Sequence, residues 1–205
     1  MQPQVFEYDP PDRFVAGTVG EPGHRTFYLQ ASGGGRVTSV ALEKLQVAAL
    51  AERVDEILDE LLRLSGGTAA PAVAPLGLDD RAPLDSPVTE EFRVGTMSLA
   101  WDTDAEVLVI EAHAQVEATA DESRDDVPGV AAADAADDAD AADGAAEADA
   151  EGDVLRVRLS AAAARAFAKR ASIVVGAGRP PCPFCGLPLD PSGHLCPRSN
   201  GYRRR

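Results

Sequence analysis

Aromatic residues make up only 5% of this 205-residue chain, with a single tryptophan among them. That is too little for a core built on rings. Cysteine is scarcer: there are three, all within the last 24 residues. An odd, clustered set argues against a disulfide framework and turns attention to metal or thiol chemistry. Apolar runs such as Val107-Leu108-Val109-Ile110 fall far short of the roughly 20 residues of a membrane helix. The opening Met1-Gln2-Pro3-Gln4 has neither the basic nor the apolar stretch of a secretory signal. Basic residues are outnumbered, 19 against 34 acids. Together these absences exclude membrane, fibrous and disulfide-scaffold classes and predict a soluble, cytoplasmic protein with no membrane partner.

The net charge of −15 is unevenly spread. Residues 1–118 carry −12, residues 119–153 another −12, and residues 154–205 carry +9. Residues 119–153 are an Ala/Asp tract with 13 acids, one base and no large aromatic residue. With nothing to bury, that tract is predicted to be a disordered acidic insert. The basic end beside it bears on nucleic-acid binding, but a tethered polyanion competes for the same surface, and uneven charge often serves solubility alone.

Periodicity sets the remaining elements. Arg13–Val19, Thr26–Ala31 and Val37–Leu42 read as strands, the last two joined through Ser32-Gly33-Gly34-Gly35 as a hairpin. From Glu43 to Leu64 the period becomes helical, with Leu50, Val54, Ile57, Leu58, Leu61 and Leu62 on one stripe and Ser65-Gly66-Gly67 as the stop. Residues 66–89 have no period and read as loop. Phe92–Trp101 and Glu106–Val116 read as strands about an Asp102–Ala105 turn. Val154–Leu159 alternates as a strand, and Ser160 is a suitable cap for a helix from Ala161 to about Val174. The acidic insert thus interrupts a strand-to-strand connection, an arrangement with a small closure cost.

The expected fold class is therefore α+β: an antiparallel sheet of about six strands with two packed helices, a disordered acidic insert and a small C-terminal zinc-binding module. Its organisation is a domain over 1–178, containing the insert 119–153, followed by a module with a basic tail over 179–205.

The stretch Phe6-Glu7-Tyr8-Asp9-Pro10-Pro11-Asp12-Arg13-Phe14-Val15-Ala16-Gly17-Thr18-Val19-Gly20 resembles the opening of an uncharacterised family, domain of unknown function 3090. The segments Arg25–Ala31 and Glu90–Gly95 are similar to it as well, as is the end from Gly178 through Cys182-Pro-Phe-Cys185-Gly186 to Tyr202. The resemblance covers the chain apart from the insert. It implies a cytosolic actinobacterial protein with no established activity.

The strongest chemical signal is Cys182-Pro-Phe-Cys185-Gly186, followed by His194-Leu-Cys196. A two-residue spacer lets both thiolates reach one ion, and the glycine relieves crowding where backbone N–H groups turn toward sulfur. In extended backbone, residues two apart share a face, so His194 and Cys196 are placed to chelate together. Cys182, Cys185, His194 and Cys196 make a closed Cys₃His set, which suits one structural zinc ion per chain. A redox dithiol, an iron–sulfur ligand set and metal-free cysteines are the competing readings.

Two classes of function follow. One is a non-enzymatic binding or adaptor protein, with a protein as partner and a nucleic acid as the lesser option; Phe184 and Tyr202 are the aromatics near the cysteines. The other is an enzyme using Glu111 and His113, which share a strand face, with Asp9, Asp12, Arg13 and His24 as further polar candidates. No nucleophile elbow, P-loop, dinucleotide fingerprint or zinc-protease motif is present. The block Asp9-Pro-Pro-Asp-Arg reads as a turn with a local charge pair.

Overall fold

The computed structural model describes residues 3–21, 23–116, 152–178, 182–185, 189 and 196. Its strands are β1 (Val5–Tyr8), β2 (Arg13–Val19), β3 (Thr26–Gly33), β4 (Arg36–Leu42), β5 (Glu90–Asp102), β6 (Val107–Ala114) and β7 (Val154–Ser160). The helices are α1 (Lys44–Leu64) and α2 (Ala161–Gly176), with a short 3₁₀ turn at Leu76–Leu78. All seven strands join one sheet in the order β1-β7-β6-β5-β4-β3-β2.

The sheet is mixed, which corrects the antiparallel expectation. The β2–β3, β3–β4, β5–β6 and β6–β7 pairs are antiparallel, whereas β1–β7 and β4–β5 are parallel. The physical reason lies in the connections. From β4 the chain passes through α1 and a long loop before β5, and a crossover of that length returns a strand parallel to its start. The seventh strand, β1, has four residues ending at a proline-containing turn, too short for its alternation to stand out.

Local rules account for the element ends. The β3–β4 hairpin turns on Gly34 and Gly35, both at positive φ, as a tight two-residue turn requires. At the end of α1, Gly66 and Gly67 have positive φ, and Gly67 N–H donates to the Leu62 carbonyl at 2.9 Å. At the start of α1, Gln46 accepts from Glu43 N–H at 2.8 Å and donates to the Val94 and Gly95 carbonyls, which ties the helix to β5. Ser160 caps α2 as expected, accepting from Ala163 N–H.

One sheet face carries the core. Phe14 and Ala16, Phe27, Leu29 and Ala31, Val40 and Leu42, Leu108 and Ile110, and Leu155, Val157 and Leu159 bury against Val47, Leu50, Val54 and Leu58 of α1 and Ala164, Phe167, Ala168 and Ala171 of α2. Phe14 and Phe167 stack with ring centroids 4.6 Å apart. Arg165, buried at 6% exposure in α2, clamps the helices together through Asp55, Asp59 and the Pro71 carbonyl.

The sheet also curls. In a flat sheet β1 and β4 would lie four strand spacings apart, about 19 Å. Instead the Tyr8 hydroxyl of β1 bonds Thr38 Oγ1 of β4 at 2.7 Å, and Arg36 donates to the Tyr8 hydroxyl and the Glu7 carbonyl. Four residues then suffice to carry the chain from β1 at one sheet edge to β2 at the other.

Residues 66–89 do more than connect. Leu84 lies over β2, where a Cβ on Gly17 would meet its Cγ at 2.5 Å. Asp85 exchanges backbone hydrogen bonds with the Gln30 amide, whose nitrogen also donates to Ser39. The strap covers the sheet face opposite the helices, so Val15, Gln30 and Ser39 are buried. Of the expected insert 119–153, only Gly152 and Asp153 lie within the described residues. Asp153 belongs to the sheet region: its carbonyl accepts from Ala114 N–H and its carboxylate from Gln4 N–H. Most of the module 179–205 lies outside the described residues. Among the described residues no helix is long and apolar enough to cross a membrane.

Candidate metal centre

The chain leaves α2 at Ala177, whose N–H donates to the Ile173 carbonyl and whose own carbonyl accepts from Arg25 at 2.7 Å. This fixes the last turn of the helix from which the cysteine-bearing segment departs. The turn that carries Cys182 and Cys185 follows. Cys196, 14 residues beyond Cys182, comes back beside it: the Cys182 and Cys196 sulfurs are 3.8 Å apart.

All three sulfurs lie within 4.8 Å of one another, an arrangement compatible with a metal site. Cys182 and Cys196 are buried and Cys185 is half-buried, while Phe184 between them is exposed. Burial by itself would raise the Cys182 pKa. The backbone N–H groups of Cys185 and Phe184 and the neighbouring thiols hydrogen-bond its sulfur, and together they bring it below the ordinary thiol range. Backbone N–H groups aimed at a sulfur are the local geometry that the Cys-x-x-Cys-Gly spacing anticipates. Of the four expected ligands the structure brings together Cys182, Cys185 and Cys196. His194 lies outside the described residues, as does Tyr202.

Zinc–sulfur bonds of about 2.3 Å at tetrahedral angles place two sulfurs about 3.8 Å apart. The Cys182–Cys196 separation has that value. Among the described residues the donor set is three sulfurs, which suits zinc, copper(I) or an iron–sulfur unit and disfavours magnesium or calcium.

The Glu111–His113 pair is real but differently employed. His113 Nε2 stands 3.5 Å from Glu111 Oε2, and both side chains are about one-fifth exposed on the sheet face away from the helices. Glu111 also accepts from Arg156 at 2.6 Å and from Ser98 Oγ at 3.1 Å. Burial would raise its pKa, but Arg156, Ser98 and His113 outweigh that and hold it below the usual carboxylate range. Ser98 bonds the carboxylate rather than the imidazole, so the contacts do not form a serine–histidine–acid relay.

The Asp9–Arg13 block also departs from expectation. Asp9 pairs with Arg158 of β7 at 3.2 Å, while Arg13 pairs with Asp80 and Asp85 of the strap. Arg13 looks to the strap because the alternation of β2 carries it onto the strap's face of the sheet. Asp12 and His24 are exposed. The sequence reading missed Arg170, which donates to the Ala16 carbonyl on edge strand β2 and to Asp80 and Ala82 of the strap. Arg13 and Arg170 line a cleft of about 350 Å³ beside the Phe14–Phe167 stack. Their donors are committed to carbonyls and carboxylates of the strap and of β2, so this wall secures the fold. The only sequence signal was an unusual density of bases on α2, a helix otherwise rich in alanine.

A family model described as "Protein of unknown function (DUF3090)" matches residues 6–196. No curated protein and no solved structure matches the chain.

Proposed function

This chain belongs to the DUF3090 family, a family of unknown function, and we propose that it is a non-enzymatic binding or adaptor protein whose C-terminal segment is ordered by one structural zinc ion. In this reading Cys182, Cys185 and Cys196 supply thiolates and His194 supplies the fourth ligand. A set of four protein ligands leaves no open position for water, which makes the ion structural rather than catalytic. The observation that carries the proposal is the convergence of three sulfurs within 4.8 Å, one pair of them at the tetrahedral 3.8 Å, from a segment with little apolar material to order itself. Zinc then contributes on the order of 10 kcal/mol to folding that segment.

The role follows from what the ordered segment offers. In sequence it runs into the basic C-terminal tail, and it presents an exposed Phe184, which in a cytoplasmic protein of actinobacterial type, as this reading takes the chain to be, offers a surface to a partner. An exposed aromatic in a segment whose sequence is rich in arginine suits a protein partner. An enzyme centred on Glu111 and His113 has less support, because both carboxylate oxygens already hold hydrogen-bond donors.

Cobalt(II) substitution tests the site. Intense tetrahedral d–d bands with thiolate charge transfer are expected, weakened in a His194→Ala variant; an octahedral spectrum overturns the ligand set. The role is tested by using the full chain and the Cys185→Ser variant as baits. Partner capture that is lost in the variant supports an adaptor held by zinc, and equal capture by both overturns it.

A further inference from the structure

We propose that the three-thiol cluster is also a peroxide-operated release for its metal, an inference that rests on the zinc reading above. Three features of the cluster carry it. The first is proximity: the Cys182 and Cys196 sulfurs stand 3.8 Å apart with Cys185 within 4.8 Å of both. For Cys185 and either neighbour, a disulfide bond of about 2.05 Å is then less than about 3 Å of sulfur movement away. The second is backbone freedom. None of the three cysteines sits in a helix or strand, so the chain can follow that movement without breaking a ladder. The third is graded access. Cys185 is half-buried where the other two are buried, so a small oxidant meets Cys185 first.

The oxidant is a hydroperoxide, hydrogen peroxide in the simplest case. The Cys185 thiolate attacks one peroxide oxygen, the S–O bond forms, the O–O bond breaks, and the leaving hydroxide takes a proton to become water. A neighbouring thiolate, Cys182 or Cys196, then attacks the sulfenic sulfur. The S–S bond forms, the S–O bond breaks, and a second hydroxide takes a proton. In sum, two thiolates, one peroxide and two protons give one disulfide and two waters. With two of its ligands joined to each other, the ion keeps one thiolate and one imidazole, too few for a closed tetrahedral site. It leaves as the aqueous ion. One of the three thiols stays reduced in this scheme, and reopening the disulfide takes an external dithiol that supplies two electrons and is itself oxidised to a disulfide.

The test uses the full-length zinc-loaded protein and stepwise hydrogen peroxide. Released zinc is followed with a chromogenic chelator, and free thiols are counted after denaturation, with peptide mapping of the oxidised form. The expected result is loss of one zinc and two of the three thiols at one common rate, an intrachain disulfide, and recovery with dithiothreitol and zinc. Zinc retained with three thiols intact overturns the proposal, provided the same peroxide dose oxidises the zinc-stripped protein. Conversion to sulfinic acid without a disulfide also overturns it. Protein that binds no zinc at the outset overturns the zinc reading itself, which keeps the two failures distinct.

Discussion

At the scale of single residues, Asp80 shows how the strap is held. Its carboxylate accepts from Arg13 and Arg170 together with Ala82 N–H. The hydrogen bond from Arg13 is the main reason its pKa lies below the usual carboxylate value, against a smaller opposing effect of burial. A carboxyl whose folded pKa is depressed contributes stability that is complete above its unfolded pKa and is lost as pH falls through the folded value. Asp80→Asn should therefore cost about 2 kcal/mol at neutral pH, because two guanidiniums lose their shared negative charge and Arg13 meets an amide donor in place of Oδ2. That cost should begin to shrink at about pH 4, where the unfolded carboxyl protonates, and vanish as pH falls through the lower folded value, where the native carboxyl also becomes neutral. Urea unfolding of both proteins across the acid range checks this. A cost that stays constant with pH would place the effect in packing rather than charge.

At the scale of elements, curling of the sheet depends on few side chains. Tyr8 and Arg36 join β1 to the β3–β4 hairpin across the open side of the sheet. Tyr8→Phe removes the hydroxyl that Thr38 and Arg36 share and should cost about 1 kcal/mol. Denaturant midpoints measure it, and an unchanged midpoint would mean that ring packing alone holds β1 in place. These contacts also explain what the sequence made legible. Alternation and the helical stripe revealed β2 to β7 and both helices, because each buries one face of a single continuous stretch. The glycine turns and the Ser160 cap were equally local. The parallel pairings of β1 with β7 and β4 with β5 join residues far apart in sequence, and no local period reports them. The strap was read as plain loop for a related reason. Its anchors Arg13, Gln30 and Arg170 lie on three other elements, and an arginine in a strand does not announce which carboxylate it will meet. The convergence of the three cysteines was legible in part, since the two-residue spacer keeps Cys182 and Cys185 close along the chain, while the fourth expected ligand, His194, lies outside the described residues.

At the scale of the whole molecule, a curled sheet around two helices carries its own core, and the cysteine segment contributes three sulfurs drawn together at its end. In the proposed reading the two parts have different sources of order, apolar burial in the first and metal coordination in the second. The measurement that bears most directly on this division is the metal content of protein purified under reducing, chelator-free conditions, with Cys185→Ser alongside and far-ultraviolet circular dichroism on both. The account predicts one zinc per chain in the wild type, none in the variant, and the same sheet and helix signal from each. Wild-type protein without metal, or a variant whose sheet unfolds as its zinc is lost, would contradict it.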